Sequence, residues 1–119
     1  MAGSKRRPDQ VGEAIRQVIA EALLHEVRDP RVQLATVTRV QVTPDLSHAR
    51  VYVAVHGEAA REDALAGLTS AAGFLRTRVA RTLATRITPE LAFEIDRGVE
   101  HAARIDELLG AIRRGEEVP

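Results

Sequence analysis

A single α+β domain with the element order α-β-β-α-α-β is what this chain predicts, and three observations carry that expectation. The 119 residues leave room for one domain only. Apolar residues make up 45% of the chain and charged ones 29%, the balance of a globular protein rather than a disordered or membrane-embedded one. The hydrophobic period switches from helical to alternating and back along the sequence.

Taken in order, Val11, Ala14, Ile15, Val18, Ile19, Ala22 and Leu23 recur at helical spacing and predict an amphipathic helix over residues 9–27. Pro8 sits near its start, and Pro30 disfavours a helical Asp29, so Arg28-Asp29-Pro30 should end it. Val32 to Thr43 is rich in Val and Thr and reads as a strand, with Leu34, Val40 and Val42 at period two and Val37 out of register, as at a bulge. Thr43-Pro44-Asp45-Leu46-Ser47 has the composition of a turn. Val51, Val53 and Val55 then alternate with polar or small residues, so the two strands should pair as an antiparallel hairpin.

From Glu58 helical spacing returns through Leu65, Leu68 and Ala72, with Glu58, Glu62 and Asp63 in the first turns, where the helix dipole favours acids. Gly73 interrupts a pattern that resumes as Leu75, Val79, Leu83 and Ile87, which predicts a kink or break at Ala71-Ala72-Gly73 and a separate third helix. Thr88-Pro89 stops that helix. Leu91, Phe93 and Ile95 alternate as the last strand of a three-stranded sheet, and Val99, Ala102, Ile105, Leu109 and Ile112 predict a C-terminal helix fading into a polar tail. The expected division is a flexible basic arm over residues 1–7, the domain proper over 8–97, and the C-terminal helix and tail over 98–119.

Charge is neutral overall but unevenly spread. Lys5, Arg6 and Arg7 form one island without acids, and Arg76, Arg78, Arg81 and Arg86 form another over residues 70–89. Residues 8–69 and 90–119 are both net acidic. Lys5 is the single lysine, and arginine's planar fork suits phosphate, although an Ala- and Arg-rich composition also follows from a GC-rich gene. On a helical wheel Arg78 and Arg81 oppose Leu75, Val79 and Leu83, while Arg76 and Arg86 flank the apolar face. A break at Gly73 would also expose helix N-terminal N–H groups, which bind phosphate well. These seven basic residues are the candidate phosphate contacts, with Ala71, Ala72 and Gly73 as the device that aims them.

Other chemistries find little support. The chain has no Cys, which removes disulfides, thiol nucleophiles and thiolate metal sites and fits a reducing cytoplasm. His25, His48, His56 and His101 fall on four different elements, so no metal site is expected. Asp29, Asp45 and Asp96 sit at element boundaries, where Asp caps and turns are expected rather than acid–base catalysis. No glycine-rich phosphate loop or nucleophile elbow occurs, no apolar run approaches the ~20 residues of a membrane span, and aromatic content is only 3%, which nearly excludes stacking platforms for bare bases.

The element order with a turn between the two central helices resembles type II KH RNA-binding domains, although the GxxG loop is absent. Ala71-Ala72-Gly73-Phe74-Leu75-Arg76 stands in its place. Together with Glu26-Val27-Arg28-Asp29-Pro30-Arg31-Val32, the hairpin Val42 to Val53, Thr88-Pro89-Glu90-Leu91 and Ala103 to Leu109, it resembles the bacterial ribosome-binding factor A family across residues 8–110. Gly98 and Ala102 depart from the family's usual Ser and Gly. The resemblance implies a KH-like domain with an Ala-x-Gly helix kink. It also implies a non-enzymatic cytoplasmic assembly factor that binds the immature 30S ribosomal subunit and its 16S rRNA, assists maturation of the rRNA 5′ end and matters most in the cold. No cofactor and no small-molecule substrate is implied. With no heptad seam or long unpaired edge, a monomer is expected. Two other readings compete: a protein-interaction module that docks a ribosomal or assembly protein with incidental RNA contact, and a small enzyme using Asp45 or His48.

Overall fold

The computed structural model describes residues 8–83 and 87–115, with the side chains of 99–103 outside the described set. The chain forms α1 (Pro8–His25), β1 (Thr36–Val42), β2 (His48–Ala54), α2 (Glu58–Leu83), β3 (Glu90–Ile95) and α3 (Arg97–Arg113), with a short 3-10 turn at Pro30–Val32. This is the expected α+β architecture. The observed order is α-β-β-α-β-α: the two central helices expected from the sequence run as one helix, α2, and the C-terminal helix follows as α3.

Helix α1 begins at Pro8, whose missing N–H costs nothing at a first helical position, and carries Asp9 in its first turn. It ends at His25, two residues before the expected boundary, where the N–H groups of Glu26 and Val27 both donate to the Ala22 carbonyl. Asp29 then caps the 3-10 turn by accepting from the Arg31 N–H at 2.9 Å. That turn displaces the start of the first strand. The chain enters β1 at Thr36 rather than Val32, so Leu34, expected on the inner face, lies in a turn at 79% exposure.

In the hairpin Val40 pairs with Val51 and Val42 with Ala49, and the register shifts between Val37 and Arg39, a bulge where Val37 departs from the alternation. Thr38, the extra residue, donates to the Tyr52 carbonyl. Leu46 closes the connecting turn in the left-handed region at φ 63°. Strand β3 returns parallel to β2, Val51 opposite Phe93, so the sheet is mixed with order β1-β2-β3. Parallel pairing requires a long crossover, and α2 supplies it.

Helices α1 and α2 cover one face of the sheet. The core between the layers holds Val11, Ile15 and Ile19 of α1, Val37 and Val42 of β1, Val51 and Val53 of β2, and Ala64, Leu68, Leu75, Val79 and Leu83 of α2. Two glycines set the closeness of these layers. A Cβ at Gly12 would stand 2.5 Å from the Val40 carbonyl oxygen, and one at Gly67 would stand 2.7 Å from Val32 Cγ1. Each side chain would collide where α1 meets β1 or α2 meets the 3-10 turn.

Across Ala71-Ala72-Gly73 α2 is assigned as helix without interruption over its 26 residues. The expected break is therefore absent. Glycine costs only about 1 kcal/mol against alanine inside a helix, and burial of Leu68, Leu75 and Val79 on one continuous face outweighs it. Thr77 Oγ1 donates back to the Gly73 carbonyl at 3.0 Å, a bond of the kind that bends helices without ending them.

Asp96 closes the fold. It is buried, its Oδ2 accepts from Thr38 Oγ1 at 2.6 Å, and its Oδ1 accepts from the Gly98 N–H at the start of α3. One carboxylate thus ties the bulge of β1 to the first turn of the last helix. The reading of Asp29, Asp45 and Asp96 as caps and turn formers agrees with these contacts and with Asp45, which accepts from Thr43 and Ser47 in the hairpin turn.

Candidate nucleic-acid interface

The C-terminal half of α2 brings three of the candidate arginines onto described surface, and they have three different environments. Arg76 turns toward the chain that follows the helix: its Nε donates to the Pro89 carbonyl at 3.3 Å and its Nη2 to the Thr88 carbonyl at 2.9 Å, with the Glu90 carboxylate 3.4 Å away. It fastens α2 to the entrance of β3. Arg78, between buried Leu75 and Val79, pairs with Glu26 just past the end of α1 at 2.8 Å. Its Nε is buried without a hydrogen-bond partner. Arg81 is exposed and makes no ion pair among the described residues. Arg86, Lys5, Arg6 and Arg7 lie outside the described residues.

The structure therefore does not assemble Arg76, Arg78 and Arg81 into one uniform patch. Arg76 stabilises the fold, Arg78 ties α2 to the segment after α1, and Arg81 is free to meet a phosphate. Ala71 and Ala72 are partly buried and Gly73 is exposed, with no atom within 4 Å of where its Cβ would stand. Because the helix is unbroken here, its backbone N–H groups are spent in the helix. The anion site expected at a new helix N-terminus does not form.

Two groups were missed in the sequence. Arg28, in the irregular segment after α1, is exposed and makes no ion pair among the described residues. Phe74 is 44% exposed on α2. A signal for the second was available. Phe74, Arg78 and Arg81 stand at i, i+4 and i+7, which places them on one stripe of the helix. Arg31 is not a further free cation, since it grips Asp29 through its guanidinium and backbone N–H and holds that carboxyl below its ordinary range.

The outer face of the sheet is charged but closed on itself. The Arg39 guanidinium lies 3.8 Å from the centre of the Tyr52 ring and 3.5 Å from Asp96, and Arg50 pairs with Glu94 across the parallel strands. Each cation there already has a partner. At the meeting of α2 with the end of α1, Arg28 and Arg81 are exposed without an ion pair among the described residues, as are Arg97 and Arg113 at the two ends of α3. Among the described residues no cluster of His, Cys, Asp or Glu could hold a metal ion, and no helix is long and apolar enough to cross a membrane.

Comparison with known proteins places this geometry. The family model for ribosome-binding factor A matches residues 7–109. The ribosome-binding factor A of Rhodopirellula baltica is 45% identical over 115 residues, covering 96% of this chain and 84% of the relative. The crystal structure of ribosome-binding factor A from Thermus thermophilus superposes with a TM-score of 0.69 at 30% identity, covering 77% of this chain and 99% of that one. A Thermus thermophilus ribosome-binding factor A homology model, fitted into the cryo-EM map of a complex with the 30S subunit, superposes with a TM-score of 0.60 at 32% identity, covering 72% and 91%. With the family match running from the start of α1 into α3, and the relatives aligned over most of its length, the chain belongs to the ribosome-binding factor A family.

Proposed function

We propose that this protein binds the immature 30S ribosomal subunit through structured 16S rRNA and assists its late maturation, including processing of the rRNA 5′ end, with the greatest demand in the cold. The observation that carries the proposal is family membership, joined to a relative of 32% identity fitted into a complex with the 30S subunit. The protein works as a monomer in the cytoplasm and catalyses no reaction. It reads RNA by shape and phosphate position rather than by an extended run of stacked bases. Arg81 and Arg28 are unpaired cations on the described surface beside the meeting of α1 and α2, and Lys5, Arg6 and Arg7 add charge from the arm. Arg78 contributes when a phosphate competes with Glu26 for its guanidinium. It holds a local rRNA conformation until processing is complete, then leaves.

Co-sedimentation of the purified protein with immature small subunits, mature small subunits and large subunits over a salt series tests this. Binding to immature small subunits should exceed the others and fall steeply with salt. Preference for the large subunit overturns the proposal. Salt-independent binding transfers recognition to ribosomal proteins.

A further inference from the structure

Glu26-Val27-Arg28-Asp29 and Gly67 to Phe74 are far apart in sequence, yet they line one open hollow of about 300 Å³ between the end of α1 and the middle of α2. Its wall carries Phe74, an aromatic ring that the core leaves 44% exposed. Part of its rim is polar. Among the described residues the N–H groups of Arg28 and Asp29 and the carbonyls of Val27 and Arg28 make no hydrogen bond within the protein. Ser70 adds an exposed hydroxyl, and Glu26 a carboxylate whose second oxygen is not used by Arg78.

We infer that this hollow takes the base of a single unpaired rRNA nucleotide, stacked on Phe74 and read by the polar rim. The inference rests on the proposed 30S binding and names what one part of that surface recognises. A phosphate group does not suit the hollow itself, because Glu26 and Asp29 both line it. A base does suit it. Carboxylates and carbonyls accept from exocyclic amino groups, backbone N–H groups donate to ring nitrogens and carbonyl oxygens, and an aromatic face stacks on any base. Charge is arranged to match. Arg28 lies on the rim, and Arg78 and Arg81 continue the Phe74 stripe along α2, so the flanking phosphates meet guanidinium while the base enters beside Phe74. The acceptors on the rim favour adenine, cytosine or guanine over uracil, which has no amino group.

Chemical probing of rRNA in immature 30S subunits tests the inference, with dimethyl sulfate for adenine and cytosine and kethoxal for guanine. It uses the full-length wild type and three variants, Phe74→Leu, Phe74→Tyr and Ser70→Leu. The wild type should protect one unpaired base. Phe74→Leu should lose that protection and bind about tenfold more weakly, the size expected for one lost stacking contact. Phe74→Tyr keeps the ring and should retain both. Ser70→Leu fills the hollow from an exposed position with Phe74 intact, so it should lose the same protection with an unchanged melting temperature. Wild-type binding without any protected unpaired base overturns this inference and leaves the 30S proposal standing, as does wild-type affinity in Phe74→Leu. A zero-length cross-link from the Glu26 carboxylate to a ribosomal protein lysine also overturns it and assigns the hollow to a protein side chain. Failure of the wild type to bind the subunit overturns both.

Discussion

Replacing either of two helical glycines by alanine should move stability in opposite directions. Gly73 lies within α2, outside the left-handed region, and a Cβ there meets no atom within 4 Å. Alanine at this site gains the full helix preference, about 1 kcal/mol, at no steric cost. In a domain of this size that raises the melting temperature by roughly 4 °C. At Gly12 the same methyl group would stand 2.5 Å from the Val40 carbonyl oxygen and 3.5 Å from a Val42 methyl. The carbonyl belongs to β1 and cannot rotate aside, so α1 must move off the sheet. Overpacking of this kind costs about 1–3 kcal/mol. Set against the same propensity gain, Gly12→Ala should lose up to about 2 kcal/mol. Urea denaturation and thermal melting of the wild type and the two variants measure both signs. Gly73→Ala melting at or below wild type would refute the reasoning, because it would mean that the backbone at 73 needs a conformation that alanine cannot take. The same variant also probes function. If the continuous helix is the binding form, Gly73→Ala binds immature subunits like wild type, whereas a kink that depends on glycine would show as lost binding in a more stable protein.

Arg81→Glu should weaken subunit binding and reduce the slope of log affinity against log salt by more than the roughly 0.7–0.9 of one lost phosphate contact, with no change in melting temperature. Arg76→Met should do the reverse, since it removes the bonds to the Thr88 and Pro89 carbonyls and costs about 1 kcal/mol of stability while binding falls little. Asp45 is held at about 2, below its ordinary 3.8, by Ser47 and Thr43 hydroxyls and the Ser47 N–H. The folded state therefore takes up this proton later than the unfolded chain does, and the stabilisation is present above pH 3.8 and disappears as pH falls to about 2. An acid titration of unfolding should accordingly be shallower for Asp45→Asn across that window. Asp96→Ala removes the buried acceptor of Thr38 and Gly98 and should cost about 1–3 kcal/mol by urea denaturation, with α3 losing amide protection first.

How far the sequence could be read differs from element to element. The alternation Val51, Val53, Val55 was unambiguous, and all three are buried. Val37 marked its own bulge by breaking the same rule one strand earlier. Leu34 misled because the 3-10 turn at Pro30–Val32 uses residues that, by composition, continue the strand. Gly73 misled for a different reason. Its penalty is small and local, while the packing that keeps α2 continuous is long-range and has no local signature. The arginine cluster shows the limit most plainly. Proximity in sequence grouped Arg76, Arg78 and Arg81, but the partners that separate them are two carbonyls beyond the helix and a carboxylate just past the end of α1. Backbone acceptors carry no residue identity, so the internal use of Arg76 left no trace in the pattern.

The parallel pairing of β3 with β2 sets the order in which the chain can be built. Strands β1 and β2 close through a short turn and can pair as soon as both exist. The ladder from β2 to β3 cannot close until all of α2 has been made and folded back across the sheet. Loop closure over that distance is entropically slow, so the last strand docks late. It is also an edge strand, with Leu91, Phe93 and Ile95 only partly buried. Until it docks, Arg76 has no carbonyls to hold, and its guanidinium is as free as that of Arg81. A nascent or partly opened molecule thus presents one more mobile cation than the finished one, and completing the sheet is what fixes it in place.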